Sequence, residues 1–207
     1  MAAKKKSGAK KKTSSRPKAA PAPKSAKPLL APSQFFTAEG GPWGQCFLPR
    51  AAGERRYWLV KSEPDVFSWD DLMAAPRRTT HWNGVRNYSA RNFMRDGMAL
   101  GDLVFYYHSN DNPQAIQGIC EVVREGYPDP TQFDSTQDGY DENAKAGAPI
   151  WYMVDLRAVA PLAVPVTLPM MKAAKALAQM ALIRTGRLSV IPVTVAEWEA
   201  IVAMGRG

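Results

Sequence analysis

The sequence YWLVKSEPD, at residues 57–65, predicts the first strand of a folded domain. Its short apolar run is typical of a buried strand, and the run ends abruptly at Lys61. Pro64 has no backbone N–H to donate to a sheet, so the strand must end before it. The strand end therefore presents Lys61, Ser62 and Glu63 together, a common way to place polar groups at the mouth of a pocket. A hydrophilic strand end without any ligand is the alternative interpretation.

The positive charge of the chain is concentrated in its first 28 residues. This segment holds nine lysines and one arginine and no acidic residue, whereas residues 29–207 hold 17 basic and 19 acidic residues. Without aromatic residues it cannot bury a core, so we predict a disordered basic tail. We expect the tail to add salt-sensitive attraction to nucleic acid, with a solvated tail lacking a partner as the alternative. The lysines expected to contact the nucleic-acid backbone are Lys4, Lys5, Lys6, Lys10, Lys11 and Lys12.

The sequence divides into three parts. A Lys/Ala/Pro-rich tail at 1–28 is followed by a linker at 29–56 and by a folded domain at 57–204. No apolar run approaches the roughly 18 residues of a membrane span, so we expect no membrane partner. Two cysteines do not make a disulfide framework, which indicates a reducing compartment. We expect the protein to be a monomer.

The folded part alternates short strand patterns with short helix patterns. Strands are predicted at 57–61, 103–108, 116–124, 151–160 and 189–193. Helices are predicted just after Ser68 and at 89–95, 168–176 and 195–204. The segment 125–149 is rich in Pro, Asp, Gly and Thr and is predicted to be irregular. Short strands separated by small helices favour an α+β domain built on a curled sheet or barrel.

Two further segments carry polar and aromatic groups in close succession. HWNGVRNYSARN, residues 81–92, gathers aromatic, amide and arginine side chains around Gly84, which permits a backbone conformation that other residues would strain. Arginine and amide groups offer forked donors that suit phosphates and base edges, and aromatic rings offer a stacking face. YYHSN, residues 106–110, again brings polar groups to a strand end. Core packing is the alternative role for the aromatic rings.

Several common chemistries have no matching pattern in the sequence. Glycine-rich phosphate loops are missing, and the two histidines and two cysteines lack zinc-ligand spacing, so we expect no cofactor and no metal. The pair His108-Ser109 lacks the surroundings of a hydrolase nucleophile. We therefore interpret His108 as a hydrogen-bonded wall residue and expect no catalytic residue.

The order of these segments resembles the EVE domain family. The resemblance rests on YWLVKSEPD, HWNGVRNYSARN and FYYHSN with GICEVVREGYPD after it, and it continues to the last helix, over about residues 57–204. It implies a PUA-like fold, a curled β-barrel with short flanking helices, related to the YTH readers of methylated adenine in RNA. It also implies a reader of modified bases that binds nucleic acid: modified cytosine in DNA, such as 5-methylcytosine, or else RNA.

The resemblance also implies where the base lies. Trp82 and Trp151 are the expected walls of an aromatic pocket, and Arg86 and Arg91 are expected to hold the nucleic-acid backbone. The complete set of expected pocket residues is Lys61, Ser62, Trp82, Asn83, Asn92, His108, Ser109 and Trp151.

An amidohydrolase is the alternative that the resemblance leaves open. Related ASCH domains hydrolyse an acetylated cytidine with a lysine, a threonine and a glutamate, and Lys61 and Glu63 match part of that set. No threonine stands at a matching position, so we expect a binding protein rather than an enzyme. The Arg-rich and Ala-rich folded part favours a bacterial source, which implies a cytoplasmic, nucleoid-associated protein; a eukaryotic source would imply a nuclear one.

Overall fold

A mixed sheet of six strands organises residues 43–207, the part of the chain that the computed structural model describes. The tail predicted at 1–28 and residues 29–42 of the linker lie outside this part. The strands are β1 Tyr57–Ser62, β2 Thr79–His81, β3 Leu103–His108, β4 Ala115–Pro128, β5 Tyr152–Thr167 and β6 Val190–Val193. Their order in the sheet is β2-β5-β4-β3-β1-β6. β1 runs parallel to β3, and the other neighbouring pairs are antiparallel.

The helices are short: four lie between strands in sequence, and the last follows the final strand. They are α1 Trp69–Ala74, α2 Tyr88–Asn92, α3 Leu168–Ala173, α4 Ala181–Arg184 and α5 Val195–Met204. Ser68 caps α1 and Thr194 caps α5, each in a reciprocal capping box that satisfies two backbone donors. The α+β class predicted from the sequence is thus confirmed. None of the helices in residues 43–207 is long and apolar enough to cross a membrane.

The sheet is open, which corrects the expected barrel. The edge strands β2 and β6 pair only with β5 and β1 respectively among the strands described. The sequence pattern missed β2, whose three residues are too few to show a period of two. It also ended β5 at residue 160, whereas the strand runs through Pro161 and Pro165 to Thr167. β2 pairs with β5 only as far as Arg157. The prolines lie beyond that point, where no further strand among those described needs a backbone N–H from this edge of β5, and they are therefore tolerated.

The start of α2 also differs from its prediction. The sequence suggested a helix at 89–95 capped by Ser89, but the Asn87 side chain accepts the hydrogen bond from the backbone N–H of Ala90 and caps α2. A single π turn at Phe93–Gly97 then continues the helix. Because Asn87 caps the helix instead of Ser89, α2 begins at Tyr88, one residue before its predicted start.

The side chains of β1 point alternately to the two hydrophobic faces of the sheet. Trp58 and Val60 pack in one buried cluster, which we call the first face, while Leu59 packs in another, the second face. Successive side chains of a strand point to opposite sides. Ser62 therefore lies on the first face and Lys61 on the second, although the two residues are neighbours in sequence.

Residues 43–56 pack against the first face. The ring of Phe47 stacks on Phe93 with 5.7 Å between centroids, and Trp43 meets the same ring edge-on at 5.8 Å. The C-terminal half of the predicted linker is thus part of the packed structure.

A buried carboxylate fixes this segment to the sheet. Asp102 is fully buried and accepts hydrogen bonds from the Arg50 guanidinium at 2.6 and 2.7 Å. It also accepts the Trp58 indole N–H at 2.7 Å and the Arg56 backbone N–H at 3.0 Å. The charge of Asp102 is therefore compensated on several sides, as a buried ion requires.

Candidate nucleic-acid-binding site

The residues expected to line the base pocket, together with the two arginines expected on the nucleic-acid backbone, fall into three groups. The first group is Ser62, Trp82 and His108 on the first face, with Asn83, which directly follows Trp82 in the chain. A second group joins α2 to the segment that precedes β5: Arg86, Arg91, Asn92 and Trp151. The third group, Lys61 and Ser109, lines a cleft on the second face. The side chains of Ser62 and Lys61 lie on opposite faces of the sheet, and Ser109 meets the first group only through the Ser62 carbonyl, to which its hydroxyl donates at 3.2 Å.

Ser62, Trp82 and His108 surround Tyr106 on β3. We call these residues, with Trp69, Tyr106 and the adjoining Asn83, the Tyr106 cluster. The centroid of the Tyr106 ring lies 5.5 Å from Trp69, 5.7 Å from Trp82 and 5.8 Å from His108, each in an edge-on or nearly edge-on arrangement. Its hydroxyl donates to the Phe67 carbonyl at 2.7 Å, and burial raises the Tyr106 pKa well above its usual range. The cluster is therefore a neutral, largely aromatic environment.

His108 is held as a neutral imidazole in this cluster. Its Nε2 accepts the backbone N–H of Trp69 at 2.9 Å, so the proton resides on Nδ1, which lies 3.6 Å from a carboxylate oxygen of Asp111. Burial lowers the His108 pKa below its ordinary value, and Asp111 opposes that shift only partly. This imidazole anchors the start of α1 to the end of β3, and its role as a pocket wall stays a prediction.

Asn83 carries the feature of this cluster that points most directly to a ligand. Trp82 and Asn83 are only 3% and 6% exposed. The Asn83 Oδ1 is buried and accepts no hydrogen bond from any described residue. Leaving a buried acceptor unsatisfied costs about 1–3 kcal/mol, so the fold retains a group that a bound donor would satisfy.

The backbone after Asn83 is fixed by a buried carboxylate. Gly84 has a φ of +76°, a left-handed conformation that favours glycine, and its N–H donates to Asp129 Oδ2 at 2.9 Å. Asp129 also accepts an Arg86 N–H at 2.9 Å and the Thr131 hydroxyl at 2.7 Å. Burial opposes ionisation, but the Gly84, Thr131 and Arg86 hydrogen bonds outweigh it and lower the Asp129 pKa. This ion therefore sets the position of the Trp-Asn-Gly turn.

Both arginines expected on the nucleic-acid backbone are engaged inside the protein. Besides Asp129, Arg86 donates to the Gly139 carbonyl and lies 5.4 Å from the centroid of the Trp151 ring. Arg91 is buried and donates to Asn92 Oδ1 at 2.7 Å and to the Ile150 carbonyl at 2.5 Å. Their contact with nucleic acid stays a prediction, and their geometry supports the loop that precedes β5.

Trp151 is likewise enclosed by protein groups. Its indole N–H donates to Asp141 Oδ2 at 2.7 Å, and its ring lies 4.8 Å from that of Tyr88. Gln132, which sequence reasoning missed, is fully buried and accepts the backbone N–H groups of Ile150 and Trp151. Gln132 falls in the segment read as irregular, where no period distinguishes a buried residue.

The third group lines a cleft of about 340 Å³ on the second face, which we call the basic cleft. Lys61 Nζ donates to the Gly186 carbonyl at 2.8 Å, and burial lowers the Lys61 pKa from 10.5 to about 8. Glu63 lines the same cleft, but no threonine is among its lining residues, so the amidohydrolase alternative gains no third group there. Within residues 43–207, no cluster of three or more His, Cys, Asp or Glu side chains could hold a metal ion.

Comparison with known proteins gives one family and several relatives. The EVE domain family model matches residues 56–204. Thymocyte nuclear protein 1 from Homo sapiens is 40% identical over 165 residues, which span 72% of this chain and 73% of that protein. A solved hypothetical protein from Leishmania major is 43% identical, with a TM-score of 0.70 over 75% of this chain and 97% of that chain. Human THYN1 protein, solved in complex with 5-methylcytosine containing DNA, is 37% identical, with a TM-score of 0.70 over 73% of this chain and 98% of that chain.

Proposed function

The chain belongs to the EVE domain family, and we propose that it binds modified bases in nucleic acid, specifically 5-methylcytosine in DNA. The observation that carries this proposal is its similarity to the human protein solved with 5-methylcytosine containing DNA, which spans nearly the whole of that chain. The Tyr106 cluster supplies the chemistry that such a base would need.

We place the base beside Asn83. Cytosine presents its exocyclic amino group as a donor, and the unsatisfied Oδ1 of Asn83 is an acceptor. A base must leave the helical stack before a protein can enclose its edge, and Gly84, which is only partly buried, leads from Asn83 to the surface. The 5-methyl group adds apolar area for contact with Trp82, worth about 0.8 kcal/mol or roughly a fourfold preference over cytosine.

Replacing Asn83 tests this placement. We expect Asn83→Ala to weaken binding of a 5-methylcytosine duplex severalfold, because a single neutral hydrogen bond contributes about 0.5–1.5 kcal/mol. The free energy of unfolding should stay the same or rise, because the variant removes a buried acceptor that lacks a partner. Fluorescence anisotropy with methylated and unmethylated duplexes measures the first effect, and urea unfolding measures the second.

Asn87→Ala is the matched control for this experiment. Asn87 Oδ1 accepts the Ala90 N–H at 3.0 Å as the cap of α2, so its loss should lower the free energy of unfolding by about 1 kcal/mol. Binding of methylated DNA should not change. If Asn83→Ala binds methylated DNA as tightly as the wild type, the base does not lie beside Asn83.

The basic tail is proposed to add affinity without selectivity. Its residues lie outside the described part of the chain, so the proposal rests on their charge alone. Deleting residues 1–28 should flatten the slope of log affinity against log salt, because fewer counterions are released on binding. The ratio of affinities for methylated and unmethylated duplexes should survive. A slope that does not change would exclude the tail as a binding arm, and a full-length chain with its tail lysines replaced by serine controls for length.

RNA binding and the localisation of the protein are further proposals. RNA binding is tested by adding a single-stranded RNA of the same sequence to the anisotropy series. For localisation, we propose the compartment that holds DNA, the nucleus in a eukaryote or the nucleoid in a bacterium.

A further inference from the structure

The basic cleft is a concave surface that the proposed base reading at the Tyr106 cluster does not use. It opens at the ends of β1 and β3 on the second face and shares no lining residue with that cluster. Its volume of about 340 Å³ falls within the roughly 300–1,000 Å³ of small-molecule sites.

Positive charge outnumbers negative charge in this cleft. Lys61 comes from the end of β1, Lys172 from α3 and Arg187 from the turn after α4. Among residues 43–207, Glu63 is the only acidic residue that lines the cleft. Three cations from separate elements that face one space favour an anionic group there. Lysine and arginine are the usual partners of phosphate.

The rest of the lining favours a ligand with a body larger than the anion. Leu168, Leu182, Ile183 and Leu188 form apolar walls, which a lone inorganic ion would leave without contact. Polar groups are present as well: the Tyr107 hydroxyl donates to Gln114 at 2.9 Å, and Ser109 and Asn110 line the cleft nearby. Apolar walls with a few polar groups and a charged end are the usual makeup of a small-ligand site.

We propose that the basic cleft binds a nucleoside monophosphate unit, with its phosphate held by Lys61, Lys172 and Arg187 and its nucleoside against the leucine and isoleucine walls. The unit is either a free mononucleotide or the 5′-phosphorylated terminal nucleotide of a strand. The two sources share this chemistry and are separated by experiment. The cleft site is independent of the proposed reading of 5-methylcytosine.

Lys61 makes this binding depend on pH. Because burial lowers the Lys61 pKa to about 8, the ammonium form dominates at pH 7 and is lost as the pH rises through 8. The other charged groups that face the cleft are Glu63, Lys172 and Arg187, and burial raises the Tyr107 pKa to about 12, so this tyrosine stays protonated. Affinity for a phosphate should therefore fall between pH 7 and pH 9.

Calorimetry of the full chain tests the proposal with cytidine 5′-monophosphate, cytidine and inorganic phosphate as probes. We expect the nucleotide to bind at least tenfold more tightly than either fragment. Lys172→Ala should weaken nucleotide binding severalfold. Lys61→Arg should keep binding and abolish its fall between pH 7 and pH 9, because arginine does not lose its proton. Lys175→Ala, an exposed lysine on the next turn that does not line the cleft, is the control and should bind normally.

The outcomes separate the two sources and the two sites. Tighter binding of a 5′-phosphorylated than of an unphosphorylated oligonucleotide indicates a strand terminus, and equal binding of the two with tight mononucleotide binding indicates a free nucleotide. Either result supports the site. Failure of all nucleotides to bind, or loss of nucleotide binding in Asn83→Ala but not in Lys172→Ala, would overturn it. The proposed reading of 5-methylcytosine is judged independently, by the affinity of Asn83→Ala for the methylated duplex.

Discussion

Asp102→Ala is expected to lower the free energy of unfolding by about 3–5 kcal/mol, because removal of one member of a buried ion pair leaves its partner without compensation. Asp102 is fully buried, and its side chain accepts hydrogen bonds from Arg50, Trp58 and the backbone of Arg56 and Ala99. The alanine variant would leave all of these donors beside the first face without a hydrogen-bond acceptor. Urea unfolding followed by tryptophan fluorescence gives the measurement.

Glu121→Ala is the matched control for this variant. Glu121 also forms an ion pair, with Arg157 at 2.7 Å, but that arginine side chain is 51% exposed. Exposed pairs contribute about 0–1 kcal/mol, so this variant should unfold close to the wild type. Equal losses in the two variants would contradict the view that the buried Asp102 anchors the first face.

The contacts of Asp102 show why the start of the packed structure could not be predicted from the sequence. Prolines and glycines before residue 57 placed the predicted start of the domain there, since such residues break any period. Arg50 and Arg56 nevertheless contact Asp102, 52 and 46 residues away along the chain. No local pattern reports a contact of that separation, because it arises only when β1 and β3 pair.

The strands were predictable wherever their side chains repeat over enough residues. The apolar runs of β1 and β3 gave both strands correctly, since buried strands carry continuous hydrophobic residues. The closure of the sheet was not predictable in this way. Closure depends on whether the edge strands pair with each other. The short strand β2 pairs with only a small part of β5.

The candidate site was predictable as a set of segments and not as one pocket. Lys61 and Ser62 do arrive together at a strand end, but the pleat sends them to opposite faces, so one lines the basic cleft and the other the Tyr106 cluster. Arg86 and Arg91 matched a binding pattern by residue type, whereas their partners Asp129 and Ile150 come from distant segments. The unsatisfied oxygen of Asn83 has no signature in sequence at all.

The last prediction concerns Trp82, which directly precedes Asn83 in the chain. On sequence alone, Trp82→Ala would remove selectivity and leave the domain folded. Its burial in the Tyr106 cluster changes that expectation, because truncating a buried tryptophan to alanine costs about 3–5 kcal/mol of unfolding free energy. The alanine variant therefore confounds folding with binding, and phenylalanine is the informative substitution.

Trp82→Phe should keep an edge-on ring against Tyr106 and shrink the surface available to the 5-methyl group. We expect the variant to stay folded and to lose most of the preference for methylated over unmethylated duplex, as measured by anisotropy. Trp69→Phe is its control: Trp69 is buried in the same cluster, and its ring lies 5.5 Å from Tyr106, against 5.7 Å for Trp82. Both variants should destabilise the domain to a similar extent, but only Trp82→Phe should lower the preference. If both lower it equally, Trp82 acts through the packing of Tyr106, and the base does not contact its ring.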